Sequence, residues 1–312
     1  MKVILANPRG FCAGVNMAID VVDQVLKLRG APVYVYHEIV HNRHVVNDFR
    51  SRGVTFVDEV GEVPEGGVIV YSAHGISPAV RREAKQRRLV EVDATCPLVT
   101  KVHLEVLKFA RDGYTIIFIG HRGHDEAVGT VGEAPQAVRI VETPEEVAAL
   151  RVPDPEKVAY VTQTTLSVSD ANRMIAALKE KFPKIVAPPK DDICYATTNR
   201  QDAVTQLAPE ADLVLVIGSR NSSNSKRLVE RAREAGRAAY LIDDQSELDP
   251  RWLQGVETVL ITSGASAPDR LIEDLLDRLR REHQAEVEVR TLVEEDVTFG
   301  APKSLKSLAV LS

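Results

Sequence analysis

Three cysteines carry the first hint of chemistry. Cys12 stands in "ANPRGFCAGVNMAID", Cys96 in "VDATCPLVTKVH" and Cys194 in "DDICYATTNRQ". In each stretch a polar turn closes a strand-like run and opens a helix-like one. A lone thiol is usually an inert buried group, and nothing marks one of these three as a nucleophile. No C-x-x-C occurs, which argues against zinc ribbons and dithiol redox pairs. Three is an odd count, so they cannot all pair with one another. If the chain brings them together, three thiolates suit an iron–sulfur cluster with one iron left open, since a [4Fe–4S] cluster usually takes four ligands. An open iron can act as a Lewis acid.

The remaining chemistry sits at strand ends. His41, His74 and His124 each follow a different apolar run, in "HEIVHNRH", "SAHGIS" and "IGHRGHDE". Neutral imidazole gains charge readily beside an anion. Glu126 follows His124 by two residues and is a candidate proton donor if burial raises its pKa. Thr164 lies in "TQTTLS" after another strand. Ser222, Ser223 and Asn224 in "SRNSSNS", with Ser266 in "SGASAP", offer hydroxyls and backbone N–H groups at helix starts. Helix starts favour phosphate, although plain capping would use the same residues. Neither G-x-x-x-x-G-K-[ST] nor G-x-G-x-x-G is present. "HEIVH" (His37 to His41) matches the zinc-hydrolase pattern H-E-x-x-H. That pattern works only on a helix, and here it continues a strand, "PVYVY".

Positioning these groups requires strands whose ends converge. Near-continuous apolar runs alternate with amphipathic segments along the chain: "VILA", "PVYVY", "VTFV", "VIVYSA" and "LVEVDA"; "TIIFIG", "VRIV", "VAYVTQ" and "KIVAP"; "DLVLVIG", "AAYLID", "TVLITSG" and "EVEVRTL". Such runs are strands buried on both faces, as in parallel sheets covered by helices. Open α/β sheets bind ligands at the carboxyl ends of their strands. The expectation is an α/β protein of three small lobes, each a mainly parallel four-stranded sheet flanked by helices. The first lobe is 14–96, the second 97–193, and the third 1–13 with 194–285. A final strand and tail, 286–312, follow; the tail has no clear period after about Leu292 and is expected to wrap a lobe or fray. Ser77, Asn224 and Ser266 mark helix starts, and Gly30, Gly113 and Gly236 mark helix ends.

The 312 residues allow two or three lobes, and 44% apolar content suits chains that bury real cores. A net charge of −6 gives no reason to expect nucleic acid. The one dense basic run, "RREAKQRR", lies in a predicted helix and reads as a solvated face. No apolar run approaches the ~20 residues of a spanning helix, and Met1 leads straight into a strand without a signal segment. A cytoplasmic protein with no membrane partner is expected.

Nine motifs in order, "LANPRGFCAGV", "HEIVHNRHVV", "SAHGIS", "DATCPLVTKVH", "IGHRGHDE", "TQTTLS", "DDICYATTNRQ", "GSRNSSNS" and "SGASAP", resemble the LytB family of isoprenoid-synthesis reductases. The resemblance runs from Met1 to about Pro302. It implies a trefoil of three lobes around a central [4Fe–4S] cluster held by Cys12, Cys96 and Cys194. It implies that His41, His74, His124, Thr164, Ser222, Ser223, Asn224 and Ser266 hold an allylic diphosphate substrate, and that Glu126 supplies the proton. It also implies an external electron donor of ferredoxin or flavodoxin type. Asp125, where some relatives carry proline, is a local difference expected not to disturb the chemistry. The rivals are a zinc hydrolase of phosphoesters using His41, His74 and His124, and a non-catalytic iron–sulfur sensor.

Overall fold

The computed structural model describes residues 1–310. Its strands are β1 (Lys2–Asn7), β2 (Val33–Tyr36), β3 (Val54–Val57), β4 (Val68–Tyr71), β5 (Val90–Asp93), β6 (Thr115–Ile119), β7 (Val138–Val141), β8 (Val158–Thr162), β9 (Leu213–Ile217), β10 (Ala238–Ile242), β11 (Thr258–Ser263) and β12 (Glu286–Thr291). The helices are α1 (Ala13–Arg29), α2 (Arg43–Ser51), α3 (Pro78–Gln86), α4 (Pro97–Arg111), α5 (Asp125–Glu133), α6 (Pro144–Ala149), α7 (Val168–Lys181), α8 (Tyr195–Leu207), α9 (Ser223–Glu234), α10 (Asp269–His283) and α11 (Lys303–Val310). Every strand pairing is parallel. Among the described residues, no helix is long and apolar enough to cross a membrane.

The chain divides into two compact units. One gathers Met1–Val15, His41–Asn47 and Tyr195–Val297. Its five-stranded sheet runs β10-β9-β11-β1-β12, so the first strand of the chain lies between the last two. Val3, Leu5, Leu215 and Ile261 point to one face, against Leu271, Ile272, Leu275, Leu276 and Leu279 of α10. Ile4, Ala6, Val214, Val216 and Leu260 point to the other, against Ala203, Val204 and Leu207 of α8 and Leu228 and Ala232 of α9. Burial on both faces is why these strands read as unbroken apolar runs.

The other unit gathers Asn16–Val40, Asp48–Cys194 and the chain from Thr298. It holds two sheets, β3-β2-β4-β5 and β7-β6-β8. Helix α4 starts at the end of β5 but packs on the second sheet, placing Val102, Val106 and Phe109 against Ile116, Phe118, Ala159 and Val161.

The sheets thus hold five, four and three strands rather than four each. "KIVAP" forms no strand; it makes one bridge, in which Tyr160 N–H donates to Val186 O and Val186 N–H to Val158 O. Two prolines close it at 188 and 189, and proline cannot donate to a ladder. The tail packs on the unit that holds β5. Residues after Leu292 include α11, whose Leu305 and Leu308 are buried and whose Ser304 Oγ accepts the Asp93 N–H at 3.0 Å. The expected tail also covers 311 and 312, which lie outside the described residues.

Candidate active site

The three cysteines occupy matching places. Each immediately precedes the first residue of a helix: Cys12 before α1, Cys96 before α4 and Cys194 before α8. Each backbone N–H donates to a carbonyl in the loop after a strand: Cys12 to Ala265 O after β11 (3.1 Å), Cys96 to Ala73 O after β4 (3.0 Å) and Cys194 to Thr164 O after β8 (3.1 Å). None of the three is in a disulfide, and all are of intermediate exposure. Cys12 is further fixed from its flanks. Gly10, at φ 67, donates its N–H to Ser263 Oγ at 2.8 Å. The fully buried Arg200 donates to Gly10 O at 2.9 Å and pairs with Glu295 at 3.0 Å. The Ala13 N–H donates to the Tyr195 hydroxyl at 3.2 Å, and burial pushes that phenol up to about 12.

In the unit with Cys12, the Ser/Asn group folds round the start of α9. Ser222, not Asn224, is its cap: Ser222 Oγ accepts the Ser225 N–H at 3.3 Å. Asn224 sits in the first turn, buried. Its Oδ1 accepts the Ala265 N–H at 3.0 Å and its Nδ2 donates to Thr197 Oγ1 at 3.3 Å. Ser223 is buried beside it. Ser266 does not cap α10 either, since Pro268 holds that position; its Oγ donates to His41 O at 3.0 Å. His41 Nδ1 lies 3.5 Å from Asn221 Nδ2. Asn42 caps α2, accepting the N–H groups of His44 and Val45 at 3.0 and 3.2 Å, and Arg43 N–H donates to Ser219 Oγ at 3.0 Å. His41, Ser222, Ser223, Asn224 and Ser266 are therefore brought together. Residues 37–41 form no helix, so the two histidines of "HEIVH" share no helical face.

In the other unit, Glu126 lies in the first turn of α5, 2% exposed. Its Oε1 accepts the Thr164 N–H at 2.7 Å and its Oε2 accepts the Thr164 hydroxyl at 2.8 Å. Burial pushes the carboxyl up to about 7. The two Thr164 bonds oppose that rise, and the charge of Asp192 adds to it. His124 caps α5, its Nδ1 accepting the Glu126 N–H at 3.1 Å. A neutral His124 therefore carries its proton on Nε2. The His74 ring meets His124 edge to face, with centroids 5.8 Å apart. Glu126, Thr164, His124 and His74 are thus brought together.

Several contacts escaped the sequence reading. Asp125 meets two histidines: its Oδ1 bonds His37 Nδ1 at 2.7 Å, and its Oδ2 stands 3.8 Å from His74 Nδ1. Asp192, whose side chain is fully enclosed, accepts from Lys101 Nζ at 2.8 Å and from the Thr162 N–H at 2.9 Å. Beside it, burial pushes Glu105 up to about 7, helped by the proximity of Asp192. The visible signal was the acidic pair in "DDIC", directly ahead of a cysteine.

The family model described as LytB protein matches residues 3–280. The chain belongs to the LytB family. Among its relatives, a protein of Rhodopirellula baltica named 4-hydroxy-3-methylbut-2-enyl diphosphate reductase is 55% identical over 309 residues, covering 99% of this chain and 97% of the relative. A Bordetella bronchiseptica protein of the same name is 58% identical over 306 residues, covering 97% of this chain and 93% of the relative. The solved structure of the E-1-hydroxy-2-methyl-but-2-enyl-4-diphosphate reductase from Plasmodium falciparum superposes with a TM-score of 0.97 at 40% identity, covering 99% of this chain and 98% of that one. LytB membership thus extends over all three sheets of this chain.

Proposed function

We propose that this chain is an oxidoreductase that removes the hydroxyl of 4-hydroxy-3-methylbut-2-enyl diphosphate with two electrons and two protons, giving isopentenyl and dimethylallyl diphosphate. The observation that carries the reading is Glu126, an enclosed carboxyl lifted to about 7 and bonded to the Thr164 hydroxyl. Hydroxide leaves an allylic carbon poorly and water leaves well. An acid that is half protonated near neutral pH is poised to make that difference.

Cys12, Cys96 and Cys194 hold a [4Fe–4S] cluster. The donor set suits it: three cysteines outside any disulfide, each at the start of a helix, where the helix dipole favours negative charge. Cys96 comes from the lobe 14–96, and Cys12 and Cys194 from the lobe formed by 1–13 and 194–285. When bound, such a cluster supplies electrons one at a time and leaves one iron without a protein ligand. The electrons come from an external donor of ferredoxin or flavodoxin type.

The rest is done by the chain's own residues. Ser222, Ser223, Asn224 and Ser266 bind the diphosphate with neutral donors, aided by the N-terminus of α9. His41, His74 and His124 add imidazole donors; His124, held through Nδ1, offers Nε2–H. Once Glu126 is protonated, the Thr164 hydroxyl turns to accept from it and donates to the leaving oxygen, carrying the proton outward. Enclosure of Glu126 keeps bulk water from short-circuiting that transfer. The enzyme works in the cytoplasm.

The test is anaerobic purification, followed by iron and acid-labile sulfide analysis and by EPR or Mössbauer spectra with and without the diphosphate alcohol. Iron and sulfide in near-equal amounts, a spectrum that changes on adding the alcohol, and loss of the brown absorbance in Cys96→Ser are expected. Zinc in place of iron would sink the reading.

A further inference from the structure

The turn that carries His74 is approached by one face of α5. Asp125, Gly129 and Gly132 recur at spacings of four and three residues, so they share that face. A Cβ on Gly129 would meet the Gly75 carbonyl at 3.2 Å and the Ile76 nitrogen at 3.3 Å, and one on Gly132 would run into Ser77. Two absent side chains thus let the helix close on the turn until Asp125 reaches the His74 ring. Its Oδ2 stands 3.8 Å from His74 Nδ1, and Ser72 Oγ lies 3.3 Å from the same nitrogen. Its Oδ1 bonds His37, which leaves β2 with a left-handed backbone (φ 58) and stacks on Tyr36 at 4.2 Å. A left-handed backbone is uncommon outside glycine and is held only where surrounding contacts determine it.

We propose that Asp125 is a positioning residue for substrate binding: anchored by His37, it holds the Nδ1 edge of His74, so that Nε2 is the nitrogen His74 gives to the diphosphate. This rests on the reading of His74 as a diphosphate ligand given above. A carboxylate beside Nδ1 keeps a proton there and favours the imidazolium. The imidazolium donates from both nitrogens, one toward Asp125 and one toward the anion. A neutral ring protonated at Nδ1 would turn a lone pair toward the diphosphate instead. Asp125 itself does not repel the substrate strongly, because His37 offsets its charge; the bond to Asp125 raises the His37 pKa. Titratable groups of this unit that face the turn include His124, edge-on to the ring, and His103 of α4 against Gly75, paired with Glu133 at 2.9 Å.

Asp125→Asn keeps an oxygen of the same reach and removes the charge, whereas Asp125→Ala removes both. In the holoenzyme the Asn variant should raise KM about tenfold at pH 8, the effect of one pKa unit lost at His74, with a much smaller change in kcat. The Ala variant should raise it further. KM of the Asn variant should also climb at lower pH than in wild type. A fall in kcat at constant KM, or superimposable KM–pH profiles, would overturn the proposal. A readout independent of turnover is the ring titration of His74 in ¹⁵N-histidine-labelled protein, assigned by its loss in His74→Gln. A lower His74 pKa in Asp125→Asn is expected, and an unchanged one overturns the proposal whether or not substrate is reduced. A wild type that fails to reduce the alcohol would reject the functional reading while this titration still decides the coupling.

Discussion

Asp244 and Glu126 are both carboxyls packed into the protein, one in each unit, and they behave in opposite ways. Burial works against the charge of Asp244, but hydrogen bonds from Ser246 and Arg43 and the nearby His44 hold it down at about 2. Burial works against the charge of Glu126 as well, and there only Thr164 opposes it, so the group rises to about 7. The difference lies in what opposes burial: Ser246 first, then Arg43 and His44, at Asp244, and Thr164 alone at Glu126. The unit containing Ser222, Asn224 and Ser266 supplies an arginine and a histidine to Asp244. The other unit leaves Glu126 without a cation and sets the Asp192 charge within its influence. On the proposed function, one region holds an anion at constant charge and the other stores a proton.

Three measurements bear on that division. Glu126→Gln removes the stored proton and should lower kcat by ~10²–10⁴-fold, the usual contribution of a general acid, with KM changed little. A loss of only tenfold would reduce Glu126 to a positioning role. Asn224→Ala strips two hydrogen bonds from the anion-holding region. With ~1–3 kcal/mol for a buried group left unpaired, KM should rise by roughly 5- to 150-fold and kcat should move less. A kcat defect at constant KM would erase the distinction between the regions. The smallest effect is on stability. The folded-state pKa of Glu126 lies above the ordinary 4.5. The stability linked to its proton is therefore whole below pH 4.5, shrinks as pH rises and is gone by about 7. The wild-type Tm should fall between pH 5 and 7.5 relative to Glu126→Gln; parallel Tm–pH curves would mean that the carboxyl is not held as described.

What could be read from residues alone followed burial and local geometry. Strands such as "LVLVI" are enclosed on both faces and announced themselves. Ser77 caps α3, and Gly30, Gly113 and Gly236 follow their helices with positive φ. The junctions of Cys12, Cys96 and Cys194 were legible because a strand end, a turn and a helix start each leave a local mark. "KIVAP" misled because composition cannot tell a strand from a segment that makes a single bridge. Asn224 and Ser266 carry capping chemistry, yet Ser222 and Pro268 take those caps; every one of them is a permissible start, and the contacts with Ala265 and His41 decide. Asp125 was illegible for a different reason: its partner His37 is 88 residues away. Lys101 and Asp192 are likewise separated by 91 residues. Pairings of that kind exist only once the topology exists.

Strand β1 lies between β11 and β12, and Gly10, just ahead of Cys12, is tied to Ser263. Cys12, the first cysteine to leave the ribosome, is therefore among the last to acquire its final surroundings, since they are completed only when Thr291 has been synthesised. On the proposed function, a C-terminally truncated chain stopping short of β11 should therefore load no metal, even though it already contains Cys12, Cys96 and Cys194.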